Sequence, residues 1–488
     1  MRTAVALLLL LVVASGCQEP IPPRPEALVV VTTDLPVRDL SARLRIDIYD
    51  DEGRWRTSRD LVRLDPADWP VSFSVYTDAG ATRAWLRLRV YPEGGTRRYE
   101  GERFTEVGGA FVAPVPPPTA LRLIEGERDV TPELEPHPLV TVDRVVGVAL
   151  EPERRGRVVV ALHADCAGTM AQVPTDRGPD ATSATCVDTW GQRRALSVAV
   201  VEADVLERTA PELPALAIAC EGSNDERACI EGGAVVLGSR EVVLTPGLPA
   251  TPERLFQLST FWLDRDEVTV GRYRAAQAAG YLPVAPVVPN EGELSSAVDA
   301  TACSWSSTDR GREAYPLSCV SWDEARAFCQ HAGGDLPTEA QWERAARRGV
   351  AVGRSRYPWG QDAPTCARTV HGRWPLGGSP GVCEAFGRRP EPIRAAPGDV
   401  TLDGVHDLAG SMQEWTRDGY FAYDGDAWGA AGPRDPTVAA PVVGQQAVRG
   451  ASWPAPPTLL NSAVRTGVEP SGRAPFIGFR CAYPEPPP

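Results

Sequence analysis

The chain has 488 residues, 43% of them hydrophobic, with a formal net charge of −14, which is enough material for two or three domains. All 50 basic residues are arginine and 64 acidic residues stand against them, so no basic face for nucleic acid is expected. The 47 prolines and 45 glycines imply long irregular connections, and five scattered histidines with no paired-cysteine zinc spacing argue against zinc or haem.

Residues 1–16 run from one arginine through an uninterrupted apolar stretch to small residues before Cys17. This is the pattern of a bacterial lipoprotein signal, in which Cys17 becomes the first mature residue and carries lipid. An ordinary cleaved signal is the plainer alternative. The apolar run is too short to span a bilayer comfortably. Residues 17–26, the lipidated cysteine and PIPPRP, make a stiff tether. The expected location is the bacterial cell envelope, with the lipid on Cys17 in the membrane. The outer membrane is favoured, because Gln18-Glu19 lacks the aspartate that retains some lipoproteins in the inner one. With Cys17 set aside, ten of the eleven cysteines remain, an even number that suits disulfides in an exported protein.

Residues 27–204 carry short β-rich runs, among them ALVVVTTDL, ARLRIDIYD, AWLRLRVYP and RVVVALHAD. Period-two alternation is clear in Ala42-Leu44-Ile46-Ile48. Turn residues separate the runs and helical stretches are few, which predicts an all-β sandwich of immunoglobulin-like architecture. Cys166 and Cys186 bracket a polar loop and are expected to close it. Residues 205–218 read as a linker, after which Cys220 and Cys229 make a plausible local bridge.

Residues 219–485 form the second large unit, with two helices at its centre. Ser321 and Glu324 have capping-box spacing, and Trp322, Ala325, Phe328, Cys329 and Ala332 follow at helical intervals. Gly333-Gly334 supplies a left-handed stop. Thr338 and Gln341 repeat the capping box, and Arg347-Arg348 suit the negative end of the second helix.

The order of these residues, SWDEARAFC through LPTEAQWERAARRG, closely resembles the formylglycine-generating enzyme (sulfatase-modifying factor) family. Other pieces follow in the family's order. They are Glu231–Ser239, Phe261–Asp264 with Glu267-Val268-Thr269, Tyr357-Pro358-Trp359-Gly360, Asp407–Thr416, Arg449–Trp453 and Gly478–Cys481. The resemblance implies an irregular α+β fold related to C-type lectins, and a Cys329–Cys481 bridge. Cys303–Cys319 and Cys366–Cys383 are then expected as further pairs, which uses all ten cysteines.

Active relatives oxidise a sulfatase cysteine with oxygen and a copper ion held by two cysteines just after the "GGSW" block. In this chain Ala455 and Leu460 fall near those positions, and no cysteine lies between Cys383 and Cys481. Copper is therefore not expected, because soft sulfur ligands are what select it, and the domain reads as a pseudoenzyme. The resemblance also implies Ca²⁺ held by the Glu414 carboxylate with carbonyls of Gly410 and Met412. A groove formed with Trp453, Arg449, Ser452 and Trp305 would accept an extended peptide, a glycan or an envelope protein. The alternatives are an active formylglycine-generating oxidase acting on sulfatase cysteines and a structural envelope component.

Overall fold

The computed structural model describes residues 25–486 except 38–39, 77–81, 101–104, 108–109, 113–120, 151–154, 175–177, 188–191, 197, 200–201, 204–221, 240–241, 243–249, 293, 295–302, 348–354, 376–378, 433 and 441–443. The signal, most of the tether, the linker and Cys220 lie outside the described residues. Among the described residues no helix is long and apolar enough to cross a membrane.

The N-terminal region is rich in β-strands. β1 (Glu26–Thr33), β2 (Arg43–Tyr49), β3 (Trp55–Val62), β4 (Val71–Tyr76) and β5 (Arg83–Tyr91) are joined by longer strands at Val142–Ala149 and Arg155–Leu162. They form two sheets. In one, β1 pairs parallel with Arg155–Leu162 and antiparallel with β4. In the other, β5 lies between β2 and Val142–Ala149. Side chains alternate across a strand, so Ala27, Val29 and Val31 of the first sheet meet Leu44, Ile46, Leu86 and Leu88 of the second in one apolar core.

The opposite face of β2 and β5 carries Arg45, Asp47, Arg87 and Arg89, a pattern that normally faces water. Here these residues are buried. Arg87 donates through Nε and Nη2 to the two oxygens of Asp143 at 2.8 and 2.6 Å. Arg45 donates to Asp47 at 3.2 Å and to the Leu134 carbonyl at 2.7 Å. The cover comes partly from the loop that Cys166–Cys186 closes, as expected. From that loop the Ala171 N–H donates to Asp143 at 2.8 Å, while the Thr185 hydroxyl oxygen accepts the Val145 N–H at 3.1 Å. Buried charges persist only when paired in this way.

A hairpin of Gly233–Leu237 against Arg254–Leu258 joins the two cores. Its period-two alternation puts Ala234, Val236 and Leu255 into the N-terminal cluster. The other face, Val235, Leu237, Phe256 and Leu258, packs on Tyr423 and Trp428 of the C-terminal region.

The C-terminal region holds α1 (Val270–Ala278), α2 (Trp322–His331) and α3 (Glu339–Ala346) among small sheets and loops. Both capping boxes form: Ser321 with Glu324 starts α2, and Thr338 with Gln341 starts α3. Gly333 takes the left-handed conformation after α2, with φ 85°. Tyr273, Tyr281, Trp305, Phe328 and Phe479 pack edge to face beneath α1 and α2. A four-stranded sheet, ordered Arg465–Val468, Gln446–Arg449, Gln413–Gly419 and Ile477–Gly478, carries the segments discussed below.

Candidate functional site

The strand Gln446–Arg449 ends at Gly450, whose φ of 76° turns the chain against α3. A Cβ there would lie 2.9 Å from the Leu408 carbonyl and 3.1 Å from the Trp342 ring, so glycine is required. The following segment is pinned from both sides. Ala451 and Trp453 donate to the carbonyls of Ala409 (3.1 Å) and Ser411 (2.8 Å), while Arg373 and Gly372 donate to the carbonyls of Trp453 (2.9 Å) and Ala455 (2.7 Å). Pro457–Leu459 then forms one 3₁₀ turn. Leu460 is buried with Tyr357, Ala409 and Ala451, and Ala455, Leu459 and Trp359 pack against the same cluster. Tyr357 and Trp359 stack at 5.1 Å. Ala455 and Leu460 thus belong to one cluster of apolar side chains.

Glu414 is the second residue of the adjoining strand and is fully buried. Its two oxygens accept Nε and Nη2 of Arg480 at 2.7 to 3.0 Å, and one also accepts the Trp342 indole N–H at 2.7 Å. The positive charge beside Glu414 is therefore the Arg480 guanidinium. Its other donors go to the carbonyls of Asp264, Arg265 and His406. With the carboxylate saturated, Glu414, Gly410 and Met412 do not fit a calcium ion in this arrangement. Among the described residues no group of three or more His, Cys, Asp or Glu side chains is gathered as a metal would need.

The sequence reading missed the acids around this pair. Glu267 is buried with no hydrogen-bond donor from another residue at either oxygen. Burial first, then Asp407, pushes its pKa well above the usual carboxylate value. Asp407 is pushed up to about 8 by burial and then by Asp399. Asp399 is itself raised to about 6 by burial, although it accepts the Thr369 hydroxyl at 2.7 Å and the Gly410 N–H at 3.0 Å. Glu267 and Asp407 lay in quoted motifs, but nothing in the spacing told that they share one dry region.

The four residues expected to line a groove are corrected by the structure, since all of them are buried. Trp453 sits in a core cluster with Val370, Ala396 and Met412, and its indole donates to the Pro475 carbonyl at 3.3 Å. Trp305 belongs to the aromatic core. Ser452 caps the turn through its carbonyl, which accepts the Ala455 N–H at 2.8 Å. Arg449 is an internal ion-pair partner: it donates to Glu339 and the Tyr423 hydroxyl at 3.1 Å, and to Glu343. Glu339 also accepts Nε of Arg465 at 2.8 Å and its Nη2. Glu339 and Glu343 are one helical turn apart, so both point from α3 at the same pair of strands.

Asp418 lies next to this network and accepts the N–H groups of Glu339 and Val438, both at 2.6 Å. Burial, and then Glu339, raises its pKa from 3.8 to about 7. Because the folded value exceeds the unfolded one, the stability Asp418 contributes is whole below about pH 4 and is lost as pH rises through about 7. We expect a fall of about 2–4 kcal/mol across that window, measured as urea stability by tryptophan fluorescence at stepped pH. Asp418→Asn should flatten the slope, because its loss of one acceptor does not depend on pH.

Cys329–Cys481, Cys303–Cys319 and Cys366–Cys383 are all formed, with Cα separations of 5.3 to 5.6 Å. Cys229 is disulfide-bonded, and its expected partner Cys220 lies outside the described residues.

Residues 214–484 match the family profile described as the sulfatase-modifying factor enzyme 1-like domain. Hercynine oxygenase from Mycolicibacterium thermoresistibile is 32% identical over 180 residues, 34% of this chain and 36% of that protein. "Inactive C-alpha-formylglycine-generating enzyme 2" from Bos taurus is 33% identical over 176 residues, 34% of this chain and 50% of that protein. The chain spans no more than half the length of those two relatives. Formylglycine-generating enzyme from Thermomonospora curvata is 30% identical over 296 residues, 52% of this chain and 91% of that protein. With the profile covering more than half its length and the motifs standing in one folded frame, this chain belongs to the sulfatase-modifying factor enzyme 1-like family.

Proposed function

We propose that this is a lipid-anchored protein of the bacterial cell envelope whose family domain binds an extended peptide, a glycan or an envelope protein without oxidising it. What supports this reading is that Ala455 and Leu460, the residues that the family resemblance puts near the two copper-binding cysteines, pack in an apolar cluster. A methyl and an isobutyl group cannot ligate a metal or exchange thiols, and Leu460 is buried against Tyr357. The similarity to a Bos taurus protein named as inactive is consistent with it. The N-terminal β-strands, read as an immunoglobulin-like sandwich, would serve as the spacer or second binding surface above the tether.

Binding surfaces on such a scaffold vary with the loops, so the fold alone does not name the ligand. Purified protein given copper, oxygen and a peptide carrying a sulfatase cysteine should yield no aldehyde by mass spectrometry. Formation of the aldehyde would establish the active-oxidase alternative instead. Saturable binding on glycan or peptide arrays separates a binding protein from a structural component, which would show none. Cys17→Ser should move the protein from the membrane to the soluble fraction, and unchanged membrane association would remove the anchor from the proposal.

A further inference from the structure

Cys366 is half-exposed, whereas every other described cysteine is buried. Its bridge partner Cys383 is buried, with Sγ 3.6 Å from Nε2 of His371. His371 is buried too, and its Nδ1 lies 3.0 Å from the Thr369 carbonyl oxygen. A carbonyl only accepts, so the proton sits on Nδ1 and the lone pair of Nε2 faces the sulfur. An attacking thiol thus meets one accessible sulfur, and the sulfur that must leave has beside it a nitrogen that can take up the attacking thiol's proton and then donate to the departing thiolate.

We propose that Cys366–Cys383 is an exchangeable disulfide, opened at Cys366 by an external thiol, with His371 stabilising the departing Cys383. The thiolate's electron pair forms a new S–S bond to Cys366 while the Cys366–Cys383 bond breaks. The released pair goes to Cys383 Sγ, and the proton given up by the attacking thiol is taken at Nε2 of His371 or at that sulfur. A second thiol then frees Cys366. Two external thiols become one disulfide, and the bridge becomes two thiols. Exchange of this kind is faster when the leaving sulfur is stabilised as a thiolate.

The position gives the exchange a consequence. Gly372, next to the histidine, donates to the Ala455 carbonyl at 2.7 Å and accepts the Cys383 N–H at 2.9 Å. Opening the bridge therefore loosens the backbone that holds the Trp453–Ala455 segment. The charged groups around His371 are Arg373, which is paired with Glu391 at 2.9 Å, and Asp399, which lies beyond Thr369. Burial, together with Arg373, keeps the imidazole's pKa below its usual value.

The test is to incubate the full-length protein with reduced glutathione, quench by alkylation and map the modified peptides by mass spectrometry over a range of pH. We expect the Cys366–Cys383 bridge to open before the other described bridges, with the glutathione adduct on Cys366. His371→Gln should slow opening by about tenfold and flatten its pH profile. An adduct on Cys383, or no preference among the bridges, would overturn the proposal. So would a His371→Gln protein of unchanged rate and profile. The adduct position is read on the unaltered protein, so the proposal stays testable if the variant folds poorly.

Discussion

Glu339→Ala should lower the stability of the C-terminal region by about 3–5 kcal/mol, the largest single-residue effect expected in this protein. The carboxylate is fully buried and takes three donors from Arg449 and Arg465. Both guanidiniums are equally buried, so neither can turn to water when the acid is removed. Arg449 keeps Glu343, but Arg465 is left with no carboxylate, holding the Phe421 carbonyl at 2.7 Å and the faces of Tyr420 and Tyr423. The cost is mainly that of an uncompensated buried charge rather than the worth of the ion pair. It follows that Glu339→Met combined with Arg465→Met should lose far less than Glu339→Ala alone. Urea unfolding of the full chain, followed by tryptophan fluorescence, measures both variants. Equal losses would mean that the network stabilises through its contacts instead.

Replacing both Cys329 and Cys481 by alanine is expected to cost at least as much. The bridge joins residues 152 apart, and in the chain-entropy model such a loop restrains the unfolded state by about 5 kcal/mol. Cys366–Cys383 spans 17 residues and is worth about 3 kcal/mol on the same basis. Both ends of the longer bridge lie in the aromatic core beside Phe328 and Phe479, so small cavities add to the loss. Denaturant midpoints should therefore rank unaltered protein, then Cys366→Ala/Cys383→Ala, then Cys329→Ala/Cys481→Ala. The opposite order for the two variants would place the stabilisation in native packing around the shorter bridge.

What could be read along the chain was local. The capping boxes at Ser321 and Thr338 rest on side chains three residues apart, and they form as spaced. The strands Gly233–Leu237 and Phe261–Asp264 fall inside segments that the family resemblance, not local alternation, had singled out. The place of Trp453 was not legible along the chain, for a physical reason. Tryptophan suits a binding surface and a core equally, and only the neighbours Val370, Ala396 and Met412 settle which it is. Arg45, Arg87 and Arg89 posed the same difficulty: alternating charge along a strand resembles a wet face until another layer covers it.

The order of residues by itself determined where α2 and α3 start and stop, which cysteines were available to pair, and that no cysteine lies between Cys383 and Cys481. These are properties of neighbours in the chain or of residue identity, and folding does not change them. Tertiary structure alone decided that Glu414 meets Arg480 across 66 positions, that Glu339 gathers two arginines, and that His371 faces Cys383. Burial and Coulomb interactions depend on distances through space, and the sequence carries no local trace of which distant charge will arrive.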